Sequence, residues 1–75
     1  MFYTFVIKKP AGSNYTPADL MRQYAKESGI AQYSSRMGRA LLTIRRAEYG
    51  FAHWDIQKEE DGSETITVTL FRIET

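Results

Sequence analysis

Two runs rich in β-branched and aromatic residues, FAHWDIQK and ETITVTLFRIE, flank a short polar segment with Asp61-Gly62 at its centre. This pattern is that of a β-hairpin, and the apolar residues set its register, because a slip of one residue sends every side chain to the other face. A two-residue loop at Asp61-Gly62 would set Ile56 against Thr67 and Trp54 against Thr69, apolar against polar. A three-residue loop, Glu60-Asp61-Gly62, puts Gly62 at the left-handed third position of a type I turn followed by a bulge. It pairs Ile56 with Ile66, Trp54 with Val68 and Ala52 with Leu70. The three-residue loop is therefore expected. Phe71 and Ile73 alternate with the core-facing Leu70 and fall on the far face, where Phe2 and Val6 can join them in an exposed apolar patch suited to a homodimer or a partner protein.

The remainder of the chain must cover the hairpin's apolar face. At 75 residues it is long enough for one domain, expected to span 1–75, and a domain of this size buries roughly 60% of its unfolded surface. There is no cysteine, so neither a disulfide nor a thiolate-bound metal can supplement the core. The composition is that of a folded chain, 43% hydrophobic against 25% charged. No segment resembles a signal peptide or approaches the ~20 apolar residues of a membrane helix, so a cytoplasmic protein without membrane contact is expected.

The segment MFYTFVIKK is a strand by composition, expected to pair with the last strand. PAGSNY breaks it. TPADLMRQYAKESG then carries a full set of helix signals: Thr16 as N-cap, Pro17 at the first helical position, Asp19 three residues after the cap, and Gly29 as left-handed C-cap. A helix is expected over about 17–28, with Leu20, Met21, Tyr24 and Ala25 as its apolar stripe, and Ile30 is expected to fold back onto it. Further on, Met37, Ala40, Leu41 and Ile44 recur at i, i+3, i+4 and i+7, which predicts a second amphipathic helix over about 35–47. The expected fold class is α+β, in the order β-α-α-β-β, with two helices on one face of a three-stranded antiparallel sheet.

SSRMGRALLTIRR holds four arginines and no acid. On a helix, Ser35, Arg36, Arg39, Thr43 and Arg46 would share the face opposite the apolar stripe. Guanidinium groups match phosphate oxygens and guanine edges, and small hydroxyl residues permit close approach. The same face read without a partner is simply a solvated one. Charge is unevenly spread: residues 1–58 hold nine Lys and Arg against four acids, and residues 59–75 hold one Arg against five acids.

The segments TPADLMRQYAKESGI, SSRMGRALLTIRR and YGFAHWDI…ITVTLFRI together resemble a winged helix-turn-helix domain, similar to the small modules of phage and plasmid replication or regulatory proteins. The resemblance spans about residues 16–73. It implies that the second helix enters the major groove and that the hairpin is the wing. On that basis Arg36 and Arg39 approach the groove, Ser35 and Thr43 allow close contact, and Arg46, Arg22 and Lys26 hold phosphates. The chain departs from the family in two places: a strand stands where the family has a helix, and the wing tip, with Glu59, Glu60, Asp61 and Glu64, is acidic. That tip gives the alternative, a phage-like modulator that binds a host protein through the acidic hairpin tip or the apolar sheet face.

No enzyme is expected. His53 and Asp55 fall on the same strand face, but a metal site needs further ligands and no other His or Cys exists. No phosphate loop and no nucleophile with an oriented base is evident, and no cofactor is expected. The functional expectation is a small nucleic-acid-binding protein working through the second helix.

Overall fold

A computed structural model describes residues 1–74. The chain runs β1 (Phe2–Lys9), α1 (Pro17–Ser28), β2 (Ala31–Arg36), β3 (Arg39–Ile44), β4 (Ala47–Lys58) and β5 (Glu64–Arg72). All five strands form one antiparallel sheet in the order β1-β5-β4-β3-β2. The fold is α+β with a single helix, so the winged helix-turn-helix expectation, with two helices and three strands, is overturned.

The expected second helix, 35–47, is instead the end of β2, all of β3 and two tight turns. Its residues explain why. Leu41 and Leu42 are adjacent, and both are buried, 2% and 0% exposed. Neighbours in a strand point to opposite faces, so both can be covered, one on each side of the sheet. Ala40, Leu42 and Ile44 alternate toward α1, and Thr43 and Ile44 are β-branched. Met37, the first residue of the supposed helical stripe, is 95% exposed. The two turns are closed by the pairs Arg36–Arg39 and Ile44–Ala47, leaving two-residue loops at Met37-Gly38 and Arg45-Arg46. All four loop residues have positive φ (52°, 78°, 51° and 69°), the mark of the type I′ turn that matches strand twist. A 3.6-residue period and a 2-residue period agree over so short a run, and sheet pairing settled the competition.

Helix α1 lies where its signals put it. The Thr16 side chain accepts from the Asp19 backbone N–H at 3.2 Å, and the Asp19 carboxylate accepts from the Thr16 N–H at 2.8 Å. These bonds, with Arg22 donating to Asp19, hold the Asp19 carboxyl below its ordinary range, the backbone bond being the largest cause. Gly29 closes the helix at φ 71°. Ile30 does not fold back, being 58% exposed. Leu20 and Met21 are wholly buried against β2, β3 and β1. The core joins them to Phe5 and Ile7 of β1, Ile66, Val68 and Leu70 of β5, Tyr49 of β4, Leu42 and Ile44 of β3 and Ala31 of β2.

The β4–β5 hairpin keeps the expected register at Ile56–Ile66 and Trp54–Val68. Its tip is the three-residue loop: Glu59 N–H donates to the Ser63 carbonyl at 2.8 Å, and Gly62 sits at φ 88°. The third expected pair fails, because Leu70 faces Phe51 and not Ala52. Ala52 is the extra residue of a β-bulge, which lets Tyr49 and Phe51 before it and Trp54 and Ile56 after it share the helix-covered face.

Candidate functional site

Among the described residues the five-stranded sheet is accompanied by one helix of 12 residues, so one face carries the core and the other has no helix over it. Alternation places Ser35 on the helix side of β2 and Arg36, Arg39 and Thr43 on the open side. Arg46 is in the β3–β4 turn. The surface expected from Ser35, Arg36, Arg39, Thr43 and Arg46 on one helix therefore does not form. Arg36, Arg39 and Thr43 stay together on the open face, and Ser35 and Arg46 leave them.

The open face also holds a carboxylate that the helical pattern could not reveal. Glu48 lies on β4 across β3 from Arg36 and accepts two guanidinium bonds, at 3.0 and 3.1 Å. This bidentate pair raises the Arg36 pKa. Arg22 is likewise engaged: it donates to Asp19 at 2.5 Å and its guanidinium lies 5.1 Å from the centre of the Tyr33 ring. Lys26 is exposed in the last helical turn.

The apolar patch expected on the far face is present, and it has a definite construction. Leu41, Gly50, Phe71 and Phe2 are successive cross-strand partners, forming one row over β3, β4, β5 and β1. Phe71 lies over Gly50: a Cβ there would stand 3.2 Å from the ring and 3.6 Å from Ile73. The missing side chain is thus what lets the aromatic ring settle onto the sheet. Leu41 is only 2% exposed although α1 is on the other side, whereas Phe2 and Val6 are 68% and 54% exposed. In the sequence, alternation signals Phe2, Val6, Phe71 and Ile73. It misses Leu41, because a helical reading of 35–47 puts Leu41 in the stripe, and it misses Gly50, which lies beyond that helix.

At the hairpin tip, three of the four acids have local tasks. Glu59 accepts from the Thr65 hydroxyl at 2.8 Å. Asp61 accepts from the Ser63 hydroxyl and N–H at 2.6 and 2.9 Å, which lower its pKa, the hydroxyl bond most. Glu64 accepts from the Tyr15 hydroxyl at 2.5 Å, which ties the loop after β1 to β5. Glu60 alone is exposed without such a bond, and Lys8 shares the same hollow. These bonds orient three of the carboxylates without neutralising them, since every donor is an uncharged hydroxyl or backbone N–H, so the tip keeps its negative charge.

His53 and Asp55 form a local pair at 3.2 Å on the open face, with side chains 62% and 78% exposed. Among the described residues no group of three or more His, Cys, Asp or Glu is placed to hold a metal ion. Among them, too, no helix is long and apolar enough to cross a membrane. Comparison of the chain with protein-family models, characterised proteins and solved structures finds no match. Fold and surface together define a class: a small open-faced antiparallel α+β protein with an apolar row across its uncovered sheet.

Proposed function

We propose that this chain is a non-enzymatic binding protein that docks on a protein partner through the uncovered face of its sheet. The observation that carries the reading is the apolar surface of Phe2 and Val6, 68% and 54% exposed, continued by the half-buried Phe71 and Ile73 and seated on the buried Leu41 and Gly50. An antiparallel sheet with a solvated face ordinarily alternates to polar residues there, as Thr4, Thr65, Thr67 and Thr69 do in this protein. Two phenylalanines side by side on β5 and β1, flanked by Val6 and Ile73, resemble the centre of a protein interface, where a few large apolar side chains provide most of the affinity. The rim is polar and charged, with Arg36–Glu48 on one side and His53–Asp55 on another, as interface rims are.

A photo-crosslinking side chain placed at Thr69, beside this surface, tests the reading in cells expressing the chain. The control carries the same group at Gln23 on the outer surface of α1. Discrete adducts from position 69 and none from position 23 are expected. An adduct of twice the chain's mass identifies the partner as a second copy. Equal labelling from both positions, or none from position 69, refutes the reading.

Nucleic-acid binding is the second reading, and one observation favours it: Arg39, and Arg36 in its pair with Glu48, share the open face with Phe71 and Phe2, and basic and aromatic side chains together are the combination that single strands use. The test is binding to single- and double-stranded DNA over a salt series. Backbone contact gives a log–log slope of roughly −0.7 per phosphate for single strands and −0.9 for duplex, shallower in the Arg36→Ala/Arg39→Ala double variant. No binding at low salt removes this reading and leaves the first intact.

A further inference from the structure

On the helix-covered side of the sheet, α1 stops short of the strand ends. Beyond Gly29 a cleft of about 330 Å³ opens at this end of the sheet. Tyr3 and Tyr49 form its floor, their ring centres 5.7 Å apart. The Tyr3 hydroxyl is hydrogen-bonded to that of Tyr24, which fixes the ring at the helix side. Ile30, left exposed by the helix–strand connector, and Ile44 make the apolar walls. Ala47, cross-strand partner of Ile44, is too small to fill the space between them. Arg45 and Arg72 stand at the mouth.

We propose that this cleft binds a phosphorylated ligand with a ring, of about the size of a mononucleotide. The lining dictates that chemistry. Two exposed guanidinium groups face a site with no carboxylate in its wall, and neither is in an ion pair among the described residues. Two such forks suit a phosphate, which they can hold by paired N–H donors. The exposed Ile30 and the half-buried Tyr3 offer a flat ring its apolar contact, over the buried Ile44 and Tyr49. The nearby C-terminus of α1 opposes an anion, but with roughly half an elementary charge against two full ones. A neighbouring hollow also touches Arg72, but Glu48 and Glu74 line it with Arg46 and Ile73, so it is no match for an anion.

The turn provides a separate argument. Arg45 and Arg46 occupy the two positive-φ positions of a type I′ turn, where Asn-Gly is favoured and other residues cost energy. Arginine at the first of these gains nothing for the turn itself. It does place a cation at the cleft mouth. The cleft lies on the opposite face of the sheet from Phe2 and Val6, so a ligand there leaves the docking surface free.

Calorimetric titration with inorganic phosphate, a nucleoside monophosphate and a short 5′-phosphorylated single strand tests the proposal. The nucleoside monophosphate is expected to bind saturably and more tightly than inorganic phosphate. Arg45→Asn and Arg72→Gln each weaken it about tenfold or more, the loss expected for a charged hydrogen bond. Arg45→Asn also fits the turn, so this variant melts at or above the wild-type temperature and its lost binding is not lost folding. Strand binding at matching affinity assigns the ligand to a nucleic-acid end, and its failure assigns it to a free nucleotide. The proposal is overturned if no mononucleotide binds, if both variants bind as tightly as wild type, or if inorganic phosphate binds equally well.

Discussion

Met37→Asn and Gly38→Ala separate the strand–turn–strand path of residues 31–44 from a helical one, because each changes stability in opposite directions on the two. In the β2–β3 turn Met37 is 95% exposed at φ 52°, and Gly38 has φ 78°, where an added Cβ would meet nothing within 4 Å. Replacing Met37 removes no buried surface, and Asn adopts the left-handed region that costs most L-residues about 1–2 kcal/mol. Met37→Asn is therefore expected to stabilise by a few tenths to about 1 kcal/mol. Gly38→Ala meets no clash but takes that same conformational cost, so it destabilises by about 1–2 kcal/mol. Were the segment a helix with Met37 in its apolar stripe, Met37→Asn would lose about 1.5–3 kcal/mol of burial. Gly38→Ala would then gain up to ~1 kcal/mol in propensity. For a domain of this size 1 kcal/mol moves the melting temperature by about 4–8 °C. Thermal and urea unfolding of both variants gives the answer directly. A fall for Met37→Asn together with a rise for Gly38→Ala refutes the hairpin.

Thr16→Ala removes the acceptor for the Asp19 N–H. It should cost about 1 kcal/mol by urea titration, with native spectra unchanged. Alkaline stability should decline between pH 10 and 12. The Tyr15 hydroxyl, donating to Glu64, has its pKa raised from 10.0 to about 12 by that bond first, then by burial and by the Glu64 charge. Tyr24 is raised to about 12 by burial first and then by its bond to Tyr3. A phenol whose folded pKa is raised contributes stability in full below the unfolded value, and loses it as pH climbs through 10 toward 12. Melting temperature should drop over that window, and less steeply in Tyr15→Phe; a flat wild-type profile to pH 12 contradicts the assignment.

How much of this was legible depended on whether the signals were local. The Thr16–Gly29 helix is written in side chains that bond to backbone within three or four residues. The hairpin loop needs Gly62 at positive φ, and its flanking register follows from apolar pairs close in sequence. The open-face patch of Phe2, Val6, Phe71 and Ile73 needed only alternation and the pairing of β1 with β5. The arginine surface failed because it rested on the period assigned to residues 35–47.

The sequence by itself determined the capped helix and the tip and central register of the β4–β5 hairpin, since each is set by short-range sterics, hydrogen bonds or apolar pairing; the pairing of the first and last strands was expected from element order, but it is a contact between the two ends of the chain. Only the tertiary structure decided that SSRMGRALLTIRR is turn, strand and turn. Its apolar spacing fits both periods, and the deciding energy is the burial of Leu41 and Leu42 on opposite faces of a sheet whose other strands lie elsewhere in the chain. Packing likewise decided that Ala52 bulges, that Glu48 meets Arg36, and that Gly50 lets Phe71 lie flat beside Leu41. Those contacts join residues on different strands, and they exist only once the whole sheet has assembled.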